Sequence, residues 1–518
     1  MALVQTVPAV RRLPLELLIE IFLATKALHG PDHAKLDPPP CAYLSHVCRT
    51  WRAAALMCQQ LWSSVLRPHL DWTDLCLERC HSLPIEIVVN RKSEIIVEDY
   101  CVFDALDSVY SRVRAVTVDF REDRTDPIDK HGFVMNEALE LVVPQCLSSP
   151  VLEDLQIHLS TFEDDSYRVL NEELVTNMTL APRRMSLTVS GCGLNSPLQS
   201  LSPVLHTLIL ENVVPWNNCE QLAETLGSLT SLKVFEYRWT QDHYGDTIEY
   251  EGSWGSTYAR LPRLERLVLS GFLVEDVSIF SALQLPPKAV IVFAPKTSHE
   301  CLLNHSPLEE ARDDMPMRLV RLMALTLLRH LDVAHNHGMV VACTTITRHG
   351  VELTLEYSNS LDRQTSSTAV SESGLPSITF DIPPFRTREQ RDAAHMELIL
   401  FLRRYKISSI SYAGSLSSTY ISRNLKHRAH ELQEITLHSE EDVVEFRVCA
   451  HFVHFSALRI LNIDCGLSAP AEMLQDIFKA MRLAEVAKGE DQRRALPFVR
   501  ESLRKQTRSA LTDLRSVR

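Results

Sequence analysis

The chain has 518 residues, and 53 Lys and Arg against 66 Asp and Glu leave a net charge of −13. That balance argues against a dedicated nucleic-acid binder, whose affinity comes from clustered basic residues neutralising phosphates. Only 15 residues are glycine, well under the ~7% of average usage, so phosphate-cradling loops have little raw material and nucleotide enzymes are disfavoured. A content of 45% hydrophobic and 23% charged residues is ordinary for a folded chain. The length suggests two to four domains, or one long array. Residues 1–70 carry +3 and residues 482–518 carry +5, so the −13 resolves into +3, −21 and +5 along the chain. Thirteen scattered cysteines do not form a disulfide framework and fit a reducing compartment. Met1 to Leu13 is interrupted by Pro8, Arg11 and Arg12 and lacks the apolar core of a secretion signal. The apolar stretch Leu319 to Leu331 contains Arg321, Arg329 and His330 and falls short of the ~20 residues that span a bilayer. The expectation is a soluble intracellular protein, cytoplasmic or nuclear, without a membrane span, in which the sequons at Asn177 and Asn304 go unused.

The first predicted element runs from Leu13 to Phe22. Pro14 has a fixed φ and no N–H, which suits a first helical turn, and Glu16 follows where the helix dipole favours an anion. Leu17 and Ile21 are four apart, as are Leu18 and Phe22, so two apolar rows lie side by side with Glu16 and Glu20 on another face. Pro31 and the Pro38-Pro39-Pro40 run force an extended connector. A second helix is predicted from near Cys41, with Leu44, Val47, Cys48 and Trp51 on one stripe and Arg49 and Arg52 off it. Leu61-Trp62 adds a further apolar anchor.

Three blocks therefore occur in order: Leu13-Pro14 with Glu16-Leu17-Leu18 and Ile21-Phe22, then Leu44 to Arg52, then Leu61-Trp62. They resemble the F-box, and the fungal F-box-like variety in particular, over residues 12–65. The resemblance implies a three-helix module that docks on the Skp-type adaptor of a cullin-RING ubiquitin ligase. Carried over position by position, it implies adaptor contacts at Leu13, Pro14, Leu17, Leu18, Ile21, Leu44, Val47 and Trp51. The contact mode would be a helix laid into an apolar groove. The competing assignment of the same residues is the module's own core, since about 50 residues can barely bury one. A Pro-rich stretch from Lys26 to Ala42 stands where the family usually has a short turn.

Residues 83–470 repeat a strand written apolar-x-x-apolar-x-apolar. Its last two positions fall at Val116/Val118, Leu155/Ile157, Leu187/Val189, Leu208/Leu210, Phe235/Tyr237, Leu267/Leu269, Val290/Val292, Leu331/Val333, Leu353/Leu355, Ile378/Phe380, Ile410/Tyr412, Ile435/Leu437 and Leu461/Ile463. The mean spacing of about 29 residues meets the upper edge of the leucine-rich-repeat period. Helix-compatible stretches such as Trp216–Leu229 and Ala469–Ala487 fall between strands. The region resembles degenerate leucine-rich repeats. The expected fold class is α/β: an N-terminal three-helix F-box followed by a curved leucine-rich-repeat-like solenoid with a parallel sheet. The alternative is an ordinary multi-domain α/β protein with many buried strands.

Between Phe235 and Tyr258 lie seven aromatics in 24 residues, in a segment whose charge is mainly acidic. Trp239, Tyr244, Tyr250 and Trp254 are candidates for target binding, because Tyr and Trp supply contact area at low entropy cost. The alternative is a long loop folded back with its rings buried. Ser358 to Ser377 reads as a mobile Ser/Thr-rich loop. Residues 471–518 form a basic C-terminal segment with helical spacing, expected as a cap on the last repeat or, alternatively, a contact for membrane or an acidic partner.

No P-loop, H-E-x-x-H, G-x-S-x-G or G-x-G-x-x-G string occurs. Cys76, Cys80 and His81 lack a second pair at zinc-finger spacing, and Cys192 lacks an identifiable base. His335 with His337, and His451 with His454, are explained as surface histidines. The expectation is a non-enzymatic subunit without metal or cofactor. It would bind a Skp-type adaptor, and through it a cullin, at one end and a protein target, favoured to be basic, along the body. The alternative is a leucine-rich-repeat scaffold with no ligase role.

Overall fold

The computed structural model describes residues 13–29, 40–63, 70–90, 109–121, 138–159, 185–194, 201–240, 258–295, 315–347, 350–357, 376–381, 407–413, 432–437 and 460–463, with a few isolated positions between them. Tyr244, Tyr250 and Trp254, residues 358–375 and residues 471–518 lie outside these residues; of the expected Ser358–Ser377 loop, Ser377 opens a strand. The chain forms two compact units, Met1–Glu236 with Asp246–Glu251, and Tyr237–Gly245 with Gly252–Arg518.

The first unit begins with helices α1 (Leu15–His29), α2 (Pro40–His46), α3 (Arg49–Met57), α4 (Gln59–Trp62) and α5 (Leu70–Arg79). The single second helix expected from near Cys41 is two helices. Cys48 takes extended backbone, with φ −161° and ψ 173°, and restarts the chain as the N-cap of α3. The break frees the Ser45 carbonyl, and Arg52 Nε donates to it at 3.0 Å. Leu44, Val47 and Trp51 consequently do not share one helical stripe.

Five strands of the large sheet follow in this unit: β1 (Ile85–Asn90), β2 (Val113–Phe120), β3 (Asp154–Leu159), β4 (Ser186–Ser190) and β5 (Thr207–Glu211). All pair in parallel and in chain order, and the register aligns the pattern positions across them. One column runs Ile87, Val116, Leu155, Leu187 and Leu208, and its neighbour runs Val89, Val118, Ile157, Val189 and Leu210. Every side chain in both columns is buried. Parallel strands need crossover connections, and helices α6 (Val143–Leu147) and α7 (Cys219–Ser228) lie in two of them. The start of α7 is set by Asn218, whose Oδ1 accepts from Gln221 N at 2.9 Å, while Gln221 Oε1 accepts from Asn217 N at 3.0 Å. Gly191, at the end of β4, has φ +71°, and a Cβ there would run into the Leu159 carbonyl.

The division between the units falls within β6 (Val234–Arg238). The second unit holds β7 (Arg266–Ser270), β8 (Val290–Phe293), β9 (Met339–Thr347), β10 (Gly350–Tyr357), β11 (Ser377–Asp381), β12 (Ile407–Ala413), β13 (Leu432–Leu437) and β14 (Ile460–Ile463). Their order in the sheet is β7-β8-β11-β10-β9-β12-β13-β14, and β10 alone among them is antiparallel to both neighbours. Only two residues, Arg348 and His349, connect β9 to β10, too few for a parallel crossover, so the chain reverses there.

Two strand assignments from the repeat pattern change in this unit. Leu331 and Val333 lie in α9 (Met315–Asn336), not in a strand. Leu319, Val320, Met323, Ala324, Leu327, Leu331 and Ala334 are all buried at helical spacing, and that longer period overrides the local triplet. In β8 the buried pair is Ile291 and Phe293, with Val290 and Val292 only half-buried. The frame is shifted by one residue, which exchanges the faces of a strand. Ile291 pairs with Leu267 and Ile378, and Phe293 with Leu269 and Phe380. Helix α8 (Leu273–Ser281) follows β7 and packs against α9. Both units are thus mixed α/β with mostly parallel sheets, and the first carries the N-terminal helices.

Candidate functional site

Helices α1 to α4 pack on one another around a small core of Leu18, Phe22, Ala54, Ala55, Cys58, Leu61 and Trp62. The Trp51 ring sits 5.1 Å from that of Phe22, tilted by 58°. Trp62 Nε1 donates to Ala55 O at 2.8 Å, satisfying the one polar atom of a fully buried indole. Lys26 Nζ donates to Gln60 O at 2.8 Å and ties the end of α1 to α4.

The two apolar rows of α1 therefore have different fates. Leu18 and Phe22 face inward and are consumed by the core. Leu17 and Ile21 face outward and remain 50% and 42% exposed. On α2 and just beyond it, Tyr43 and Val47 are exposed, Val47 at 58%, and Leu56 and Met57 are exposed at the end of α3. Large apolar side chains are thus left in water on three adjoining helices.

Among the residues expected to contact a partner, Leu17, Ile21, Val47 and Pro14 are on the open surface, and Leu13, Leu44 and Trp51 are half-buried. Leu18 is corrected from contact to core: a side chain with no exposed surface cannot fill a groove on another molecule. Tyr43, Leu56, Met57 and Leu28 join the exposed set without having been singled out in the sequence. Leu56 and Met57 follow Trp51 on α3 within two turns, so the helix that carries Trp51 was the available signal.

The module is fastened to the first strands rather than hung on a loose tether. Arg112, just before β2, donates through its guanidinium to the carbonyls of Cys80 and Leu83 beyond the end of α5. Cys80 directly follows α5, and its carbonyl closes the turn that ends at Leu83 by accepting from Leu83 N at 3.3 Å. Arg79 stacks 4.0 Å over the Trp62 ring, and Glu86 N in β1 donates to Ser63 O at 2.8 Å. The helices and β1 and β2 therefore hold one orientation.

Burial raises the thiols of Cys58 and Cys80, in the latter case against the lowering effect of Arg112. Cys192 is also buried, and its thiol is pushed up to about 12. Among the described residues no three His, Cys, Asp or Glu side chains gather to hold a metal, and no helix is long and apolar enough to cross a membrane. Of the aromatic candidates for target binding, Trp239 is only 3% exposed. Its ring packs 5.7 Å from Phe272, and its backbone N–H donates to Ser270 O at 3.0 Å. It is corrected from recognition surface to core, where it joins Phe235 and Tyr237, the buried strand-pattern positions of β6.

Comparison with known families places the helices in context. Residues 10–68 match the F-box-like family model. The match takes in all of α1 to α4 and the exposed apolar set. No curated protein matches the chain. An F-box domain of this kind suggests a role in ubiquitin ligase complexes, and such domains typically bind Skp-type adaptors.

Proposed function

We propose that this chain is the substrate-recognition subunit of a Skp-cullin-F-box type ubiquitin ligase, with a fungal-type F-box-like head. Leu17, Ile21 and Val47 are the centre of the adaptor contact, joined by Pro14 and the open parts of Leu13, Leu44 and Trp51. The observation that carries this is the division of α1 into a buried row and an exposed row within the F-box-like match. Covering the exposed row on docking is favourable at ~25 cal/mol per Å² of apolar surface. The mode is a helical face laid into an apolar groove.

Residues 12–65 form the adaptor-binding domain, residues 83–470 a degenerate leucine-rich-repeat-like solenoid that holds the target, and residues 471–518 a basic helical cap. The spacing of about 29 residues and the aligned apolar columns of β1 to β5 support the repeat assignment. The acidic body favours a basic target protein. Ubiquitin transfer is left to other subunits inside the cell. This chain contributes proximity, raising the effective concentration of the target near the charged ubiquitin carrier. The Arg112 contacts support this by holding the head against the first strands.

Co-purification with a Skp-type adaptor is the test. The wild type should retain the adaptor, and Leu17→Asp combined with Ile21→Asp should lose it while the melting temperature stays unchanged. A wild type that never retains the adaptor removes the ligase role.

A further inference from the structure

A cavity of about 200 Å³ opens in the second unit where α8, the turn after it and α9 meet. Phe280, Leu283, Leu285 and Val333 supply apolar walls, and Tyr258 stands at its edge. Four polar side chains complete it: Gln284, shortly after α8, and Thr326, Arg329 and His330 on α9. Thr326 is already committed, donating to Leu322 O at 2.9 Å.

Arg329 is held in place from two sides. Its Nη2 donates to Ser281 O at 3.1 Å and Leu283 O at 3.2 Å, and its guanidinium lies 4.4 Å over the Tyr258 ring. A guanidinium offers five N–H donors, and these two carbonyls engage Nη2 alone. His330 lies one residue on and is 6% exposed, and its Nε2 is buried with no hydrogen-bond partner. A buried polar atom left unmade is costly and calls for a partner. Burial and the neighbouring Arg329 keep the ring neutral. The lining thus combines one pre-positioned cation, one neutral imidazole whose Nε2 lacks a partner, one glutamine amide and no carboxylate.

From these walls and polar groups we infer that the cavity is a binding site for a small organic anion, an apolar body bearing one carboxylate that is met by Arg329 beside His330. The volume lies below the ~300–1,000 Å³ of drug-sized sites, so the ligand is of fragment size. A planar carboxylate suits the fork of donors on a guanidinium, and the apolar body suits the walls formed by Phe280 and Leu285. This site is independent of the adaptor contact and stands or falls separately from it.

Benzoate is a suitable probe, with benzyl alcohol as its uncharged counterpart, measured by isothermal titration and thermal shift on the full chain. Wild type should bind benzoate saturably and benzyl alcohol about tenfold more weakly. Arg329→Met should remove that preference. Because Arg329 also supports the Ser281 and Leu283 carbonyls, Val333→Trp is the second variant: Val333 is half-buried, and a larger side chain there fills the cavity from its edge. It should abolish binding of both probes with an unchanged circular dichroism spectrum. Absence of saturable benzoate binding, equal affinity for the two probes, or binding that survives Val333→Trp would each overturn the assignment.

Discussion

The N-terminal helices and the five parallel strands that follow them are both rich in aliphatic side chains, yet they use them differently. In β1 to β5 both columns of pattern residues, from Ile87 and Val89 to Leu208 and Leu210, are withdrawn from water. The two columns stand two residues apart on each strand and so share one face of the sheet, which is wholly buried. On α1 the same kinds of residue are split between Leu18 and Phe22, which build the core, and Leu17 and Ile21, which stay outside. The apolar residues of those columns are therefore spent on the core, whereas on α1 one row is spent on the core and the next is left in water.

That contrast breaks most readily through the helical core. Phe22→Ala should cost about 3–5 kcal/mol, comparable to the ~2–5 kcal/mol of a large-to-small change such as Ile157→Ala in β3, measured by denaturant unfolding. A cost below about 1 kcal/mol for Phe22→Ala would mean that the inner row is not core. Gly191→Ala should cost about 3 kcal/mol, because φ +71° is strained for alanine and the added Cβ meets the Leu159 backbone. Unfolding of that variant at the wild-type midpoint would remove the strain from the end of β4.

The second unit offers a pH-dependent version of the same comparison. His330 has its pKa lowered from 6.5 to about 4, chiefly by burial and then by Arg329. A depressed folded-state value means that the contribution to stability is complete above pH 6.5 and is lost as pH falls toward 4. The loss is roughly 3 kcal/mol over that window, at ~1.4 kcal/mol per pH unit. His330→Phe should flatten the melting-temperature profile between pH 6.5 and 4; an unchanged slope would place the titration elsewhere. The smallest expected effect is on the outer row of α1, where Leu17→Asp should move stability by no more than about 0.5 kcal/mol.

How far the sequence was legible follows the same division. The strands of the first unit were readable because their fourth and sixth positions are consumed by one repeating register, as at Val116 and Val118. The frame failed at β8, where Val290 to Phe293 are all apolar and alternation carries no phase. It failed at Leu331 because a triplet was weighed against a 22-residue helix visible only over a longer window. The reversal at β9 and β10 depends on the two-residue connection rather than on strand composition. In the helical region the F-box-like blocks were evident from order and spacing. Which of Leu17 and Leu18 faces outward was not, because adjacent residues of equal apolarity are separated only by how α3 and α4 pack on α1. The cavity was invisible for a related reason: Tyr258, Leu283 and Arg329 come together from three separated stretches of chain.

The central claim is that the outer row of α1 is an adaptor surface and the inner row is not. It is tested most directly by titrating a purified Skp-type adaptor into the full chain by calorimetry, for wild type and for Leu17→Asp with Ile21→Asp. The account predicts saturable binding by wild type and none by the double variant, with both unfolding at the same denaturant midpoint. Equal binding by the two proteins, or no binding by the wild type, would contradict it.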